Sequence, residues 1–212
     1  MKLRVKICGV RRPMDVDACV TAGVDAIGFN LWPSSPRYVV PRAAAELVAQ
    51  VPPSILTVGV FVNAAPDEVE RAIELARFQA IQLHGDEDPT HYSHLPVEII
   101  QVVRITSSGA LPEQPADACV KRVLLDAHVA GYGGSGRKFD WALIPLAKER
   151  LRREVLVGGG LTANNVLEAI RIGRPWGVDV ASGVEASPGT KDPQKIQAFV
   201  AAVRSAEGDQ LG

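Results

Sequence analysis

Charge imbalance, paired cysteine and long apolar runs are all missing from this 212-residue chain, and each absence removes a class of function. Twenty-three lysines and arginines face 24 aspartates and glutamates. The resulting formal charge of −1 leaves no basic excess to neutralise phosphates, so no nucleic-acid partner is expected. The three cysteines, Cys8, Cys19 and Cys119, are odd in number and widely spaced. Without C-x-x-C or Cys/His ligand spacing they indicate neither a disulfide framework nor a metal site. No apolar run reaches the roughly 18 residues that span a bilayer, and the N-terminus enters a strand pattern directly; no membrane association is expected, and a cytoplasmic location is. What the chain does have is hydrophobic material, 47% of its residues, ample for the core of one large domain.

That material is arranged with two alternating periods. In residues 3–9, Leu3, Val5 and Ile7 fall on one face and Arg4, Lys6 and Cys8 on the other; this is a half-buried strand, which Gly9 breaks just after a thiol on its polar face. Further strands are predicted at 25–29, 55–62, 80–84, 97–105, 120–126, 155–158 and 177–180. Helices are predicted between them at 13–22, 41–50, 66–78, 88–94 (weak), within 107–118 (short), at 141–150 and at 162–172 with Thr162 as N-cap; a last one spans 193–204. Eight strands alternating with eight helical stretches make a single-domain α/β protein, a (β/α)8 TIM barrel over residues 1–206 with a frayed tail at 207–212. A doubly wound open sheet would use fewer strands and carry a glycine fingerprint after the first, where only Cys8-Gly9 stands.

A barrel of this kind keeps its chemistry at the C-terminal ends of its strands. Strand parity then selects candidates. Ile81 pairs with Leu83, Val123 with Leu125 and Val178 with Val180 as the helix-facing set, which turns Cys8, His84, Asp126 and Asp179 toward the mouth. Glycines follow strand seven (Gly158, Gly159, Gly160) and strand eight (Ser182-Gly183), where loops of this fold present backbone N–H groups to a phosphate. Arg37, in the Pro/Ser-rich loop after strand two, carries a guanidinium suited to gripping a carboxylate. The glycine-rich 131–136 loop could close over a ligand or serve only as a connection.

The ordered set Lys6-Ile7-Cys8-Gly9, Pro33-Ser34-Ser35-Pro36-Arg37-Tyr38, Val58-Gly59-Val60-Phe61-Val62-Asn63, Gln82-Leu83-His84-Gly85-Asp86, Leu125-Asp126, Gly134-Ser135-Gly136, Gly159-Gly160-Leu161-Thr162 and Gly177-Val178-Asp179 through Ser182-Gly183-Val184-Glu185 resembles phosphoribosylanthranilate isomerase of tryptophan biosynthesis. The resemblance covers nearly the whole chain. It implies an Amadori rearrangement of an aminoaldose phosphate to an aminoketose; no cofactor is expected, and the working unit is expected to be a monomer or homodimer. It also implies that Cys8 is the base, Asp126 the acid and Arg37 the holder of the anthranilate carboxylate, with Gly159, Gly160, Ser182 and Gly183 at the phosphate; His84 and Asp179, turned to the mouth by strand parity, are expected beside the substrate. Ala181 departs from the pattern, which often has serine there, as does Gly158, where alanine is common.

Those roles make physical demands. A thiol with an ordinary pKa of about 8.5 is only a few per cent thiolate at pH 7, so Lys6 is expected to activate Cys8. An acidic Asp126 needs burial or a neighbouring carboxylate, for which Asp179 is the candidate. Cys19 and Cys119 are expected to pack, and His91, His94 and His128 to lie on the surface or in loops. A metal-dependent epimerase would show clustered His and Asp at several strand ends, and a related synthase would show strand-end lysine and glutamate catalysts. Neither pattern is apparent. A non-catalytic binding barrel would have no need of Cys8 and Asp126 together.

Overall fold

Near-continuous apolar strands cannot face water on either side, and the chain resolves this by closing them on themselves. The computed structural model describes residues 2–105, 111, 116–127 and 139–209. Eight parallel strands pair in chain order into a closed barrel: β1 (Arg4–Cys8), β2 (Ala26–Asn30), β3 (Leu56–Phe61), β4 (Ala80–Leu83), β5 (Glu98–Ile105), β6 (Val120–Ala127), β7 (Glu154–Val157) and β8 (Gly177–Val180), with β8 returning to β1. Outside them run α1 (Pro13–Ala22), α2 (Pro41–Val48), α3 (Pro66–Ala76), α4 (Leu143–Leu151), α5 (Val166–Gly173) and α6 (Pro193–Asp209). A two-stranded antiparallel hairpin, β9 (Glu185–Ser187) and β10 (Thr190–Lys191), stands between β8 and α6.

Local chemistry sets the helix limits. In α1, Pro13 needs no N–H partner in the first turn, Asp15 accepts from the Arg12 N–H, and Gly23 (φ 73°) closes the other end in the left-handed conformation. After β4 the expected weak helix is a single 3-10 turn, Pro89–Tyr92, capped by Asp88. Thr162 is not the N-cap of α5. The Asn165 side chain accepts from the Thr162 N–H and donates to the Gly160 carbonyl, bracing a turn that delays the helix to Val166. At the C-terminus α6 outruns its expected end because Glu207 accepts from the Leu3 N–H (2.8 Å) and Arg204 donates to the Leu3 and Gly23 carbonyls. The expected helix within 107–118, the 131–136 loop, His128 and 210–212 lie wholly or largely outside the described residues.

Parity works as expected. Val5, Ile7, Ile81, Leu83, Val123, Leu125, Val155, Val157, Val178 and Val180 join the large core between barrel and helices, whereas Ala26, Val58, Ala80, Ile100, Val102, Leu124 and Leu156 form a separate small core inside the barrel. Inside, the N-terminal end is closed by Arg122, which pairs with Glu98 and Glu154 (3.0 Å) and lies over the Trp176 ring at 4.4 Å. That end is a structural plug. The reactive side chains gather at the other.

Candidate active site

Register puts the first two partners face to face. Lys6 of β1 is level with Asp179 of β8, and Cys8 is level with Gly28 of β2. Lys6 Nζ donates to Asp179 Oδ1 at 2.8 Å. Its positive charge also acts on the Cys8 thiol, in the direction that favours the thiolate. The close approach depends on Gly28, because a Cβ there would sit 3.0 Å from Cys8 Sγ and 3.1 Å from Lys6 Nζ. Lys6 retains only 2% of its accessible surface. Lysines are almost never so buried unless paired, and a buried pair adds little net stability, so its retention points to the site's chemistry.

Burial pushes the Cys8 thiol up, and the opposing pull of Lys6 and Lys191 does not overcome it, partly because Asp179 acts in the same direction as burial. Lys6 therefore moderates the cost of a thiolate without making Cys8 more acidic than an ordinary thiol. Burial would also lower the Lys6 pKa, but Asp179 and Cys8 outweigh it and hold the ammonium above its usual range. The other two thiols are raised as well. Cys19 is buried and pushed up to about 12 by desolvation. Cys119, half-buried against the Pro89 carbonyl, reaches about 11 through burial and Asp117.

Across the mouth, Asp126 stands near the end of β6 and His84 just past β4, with His84 Nε2 3.4 Å from Asp126 Oδ2. Asp126 Oδ1 accepts from the Ala127 N–H at 2.9 Å. Gln82 Nε2 lies 2.9 Å from His84 Nδ1; where the amide donates, Nδ1 accepts and the ring proton belongs to Nε2, facing Asp126. The His84 carbonyl is held by Arg104, which also reaches the Gly85 carbonyl and Asp86. Asp179 is paired with Lys6, and β7 runs between its strand and that of Asp126.

The late glycine loops take shapes that side chains resist. Gly159 (φ 77°) and Gly160 (φ 66°) both have positive φ, a backbone conformation glycine adopts without steric cost. A Cβ on Gly159 would lie 2.7 Å from Asp126 Oδ1, so the loop also shapes the carboxyl's surroundings. After β8 comes a 3-10 turn, Ser182–Val184. There a Cβ on Gly183 would approach the Leu161 carbonyl oxygen to 1.9 Å, which brings the two loops together.

Arg37 is brought to the site, but not with its fork free. Its Nε and Nη2 grip Glu185 Oε1 and Oε2 at 2.8 Å each. One edge of the guanidinium is taken, and the edge formed by Nη1 and the second Nη2 hydrogen remains to meet a carboxylate. Glu185 also accepts from Lys191 Nζ at 3.0 Å. Sequence reasoning missed Lys191, Gly28 and Arg104 as parts of the site, and period-two parity set Gln82 on the face of His84 without giving it a role. Nothing local marks a buried lysine in the polar 185–192 stretch. His91 and His94 are exposed, as expected.

The family model of N-(5'phosphoribosyl)anthranilate (PRA) isomerase matches residues 5–202. A protein of Dechloromonas aromatica named N-(5'-phosphoribosyl)anthranilate isomerase is 48% identical over 214 residues, spanning 98% of this chain and 99% of the relative. A crystal structure of phosphoribosyl anthranilate isomerase in complex with reduced 1-(o-carboxyphenylamino)-1-deoxyribulose 5-phosphate superposes with a TM-score of 0.81 at 32% identity, covering 96% of this chain and 99% of that one. A structure described as monomers of the dimeric Thermotoga maritima isomerase has a TM-score of 0.80 at 33% identity, with coverage of 96% and 99%. The matches run the length of the barrel and take in both sides of its mouth, and the chain belongs to the N-(5'-phosphoribosyl)anthranilate isomerase family.

Proposed function

We propose that this chain isomerises N-(5-phosphoribosyl)anthranilate to 1-(2-carboxyphenylamino)-1-deoxyribulose 5-phosphate in tryptophan biosynthesis, with Cys8 and Asp126 as its base and acid. The observation that carries the roles is their placement: a thiol beside an ammonium on β1 and a carboxyl on β6, across one barrel mouth. The rearrangement needs opposed groups of this kind. Protonated Asp126 gives its proton to the furanose ring oxygen, and the C–O bond breaks to leave a Schiff base. The Cys8 thiolate then removes the proton from the sugar's second carbon, giving an enolamine that tautomerises to the ketone.

The surrounding residues support each end of such a substrate. Gly159, Gly160, Ser182 and Gly183 would hold the phosphate through backbone N–H groups, with the Ser182 hydroxyl beside them. Arg37 would meet the anthranilate carboxylate through its Nη1/Nη2 edge, its Nε/Nη2 edge being anchored on Glu185. His84 lies against Asp126 and, with Asp179, lines the sugar's path. No described helix is long and apolar enough to cross a membrane, and three free thiols suit a reducing, cytoplasmic location. The working unit is a monomer or a homodimer.

The test is turnover of phosphoribosylanthranilate generated in situ. Cys8→Ser and Asp126→Asn should each lower kcat by on the order of a hundredfold or more, general acid–base catalysis being worth 10²–10⁴. Near wild-type turnover in either variant would overturn the assignment of that residue.

A further inference from the structure

Lys191 belongs to none of the motifs above, yet it is among the most completely buried polar residues of the protein, at 2% exposure. It is carried on the β9–β10 hairpin, which is fitted against the loop bearing Arg37. Gly189 (φ 78°) passes so near that loop that a Cβ would lie 2.4 Å from the Pro36 carbonyl oxygen. Arg11 Nη1 donates to the same carbonyl at 2.9 Å, and Arg12 Nη2 to the Lys191 carbonyl at 3.1 Å. Inside, Lys191 Nζ donates to the Ala181 carbonyl at 2.9 Å and to Glu185 Oε1 at 3.0 Å.

The charges around Cys8 do not cancel. From β1 comes Lys6, from β8 Asp179, from the β2–α2 loop Arg37, and from the hairpin Glu185 and Lys191, all five buried. Nearby on α1, Asp15 is paired with Arg12. Lys6 is matched by Asp179, and Glu185 answers both Arg37 and Lys191. Three cations thus face two carboxylates. An uncompensated buried charge is costly, and only a further anion at the same place offsets it.

We propose that Lys191 is a positioning residue for the reaction's base: it supplies the surplus positive charge that the Cys8 thiolate neutralises, and the hairpin exists to hold it there. This rests on the reading of Cys8 as the base. The cluster borders the thiol through the chain itself: Arg37 packs on Gly9, the residue after Cys8, where a Cβ would meet its Cδ at 2.5 Å, and Glu185 ties Arg37 to Lys191; the charge of Lys191 favours the thiolate, against the larger effect of burial. Desolvation pulls the Lys191 ammonium below its ordinary range, and the Glu185 carboxylate and the Ala181 carbonyl hold it in place at 3.0 and 2.9 Å.

The experiment is the pH dependence of alkylation by iodoacetamide, following the Cys8 peptide by mass spectrometry with the Cys119 peptide as internal reference. Lys191→Met should raise the Cys8 midpoint by on the order of one pH unit, and Glu185→Gln, which leaves the cations in excess, should lower it. Looser packing alone would move both variants the same way. Shifts in the same direction, or an unchanged Cys8 midpoint, would overturn the proposal; an unchanged midpoint with a raised KM would assign the surplus charge to the substrate's own anions. Should Lys191→Met not fold, Glu185→Gln decides, a rise or no change being the refuting result. Alkylation reads the thiol whether or not Cys8 is catalytic, so failure here is distinct from failure of the base assignment, which turnover of Cys8→Ser tests.

Discussion

Replacing Lys6 by methionine keeps most of the side chain's bulk and removes only its charge. Asp179, with its side chain 11% exposed, is then left as a carboxylate that has lost its only ion-pair partner among the described residues. Breaking a buried pair in this way costs about 3–5 kcal/mol, whereas replacing both partners is close to neutral. For a protein of this length each kcal/mol moves the melting temperature by about 2–4 °C. Lys6→Met should therefore melt on the order of 10 °C below the parent, still folded given a total stability of about 5–15 kcal/mol. The double variant Lys6→Met/Asp179→Asn should recover most of that loss. Activity should not follow stability, because both variants deprive the Cys8 thiolate of its nearest cation. The assays are thermal and urea melts of the two variants beside turnover. A double variant as unstable as the single one, or a single variant within about 1 kcal/mol of the parent, would refute the pairing argument. Recovery of activity together with stability would refute a catalytic reason for burying Lys6.

Gly159→Ala places a methyl group 2.7 Å from Asp126 Oδ1 on a left-handed backbone; kcat should fall by about tenfold to a hundredfold, as misplacements of about 1 Å do, with the far-UV spectrum unchanged, and a wild-type kcat would separate the loop from the acid. Arg37→Ala removes one charged contact to the substrate carboxylate, worth roughly 1.5–3 kcal/mol, so KM should rise by about tenfold or more with a smaller change in kcat; an unchanged KM would refute the carboxylate role. At the opposite end of the barrel, burial would raise the Asp25 pKa, but Lys2, Arg204 and the Val5 N–H hold it at about 2. A carboxyl depressed on folding contributes stability above its unfolded pKa and loses it as pH falls, so about 2 kcal/mol should disappear between about pH 4 and pH 2. Urea melts of Asp25→Asn should show its deficit shrinking over that interval, and a pH-independent deficit would count against the linkage.

The strands were legible because a strand covered on both sides must be apolar, and because period two sorts its residues without knowledge of its neighbours. That sorting alone turned Cys8, His84, Asp126 and Asp179 inward. What could not be read was who meets whom. The bond from Arg37 to Glu185 joins residues 148 apart in the chain, and no local pattern announces that the guanidinium's fork is already engaged. Lys191 was invisible for a related reason: a lysine after a Pro-Gly turn looks like a solvated loop residue, and only the tertiary packing of the short 185–191 hairpin buries it. The Thr162 cap failed because Asn165, three residues on, offered the backbone a competing turn. The activating effect of Lys6 was overestimated because proximity is readable from strand parity, whereas desolvation is not.

The ion pair between Lys6 and Asp179 joins residues 173 apart, across the seam where β8 meets β1, and Arg204 and Glu207 fasten the same seam from the last helix. Synthesis therefore produces the thiol almost first and its surroundings almost last. A chain interrupted before Gly177 has β1 as an open parallel edge, with Lys6 unpartnered and nothing to bring Glu185 or Lys191 to the mouth. Such edges recruit other chains, and contacts between distant residues form slowly. Because the closing step also completes the charge cluster, unfinished or partly opened copies should be inert, and activity should report barrel closure in an all-or-none manner during refolding.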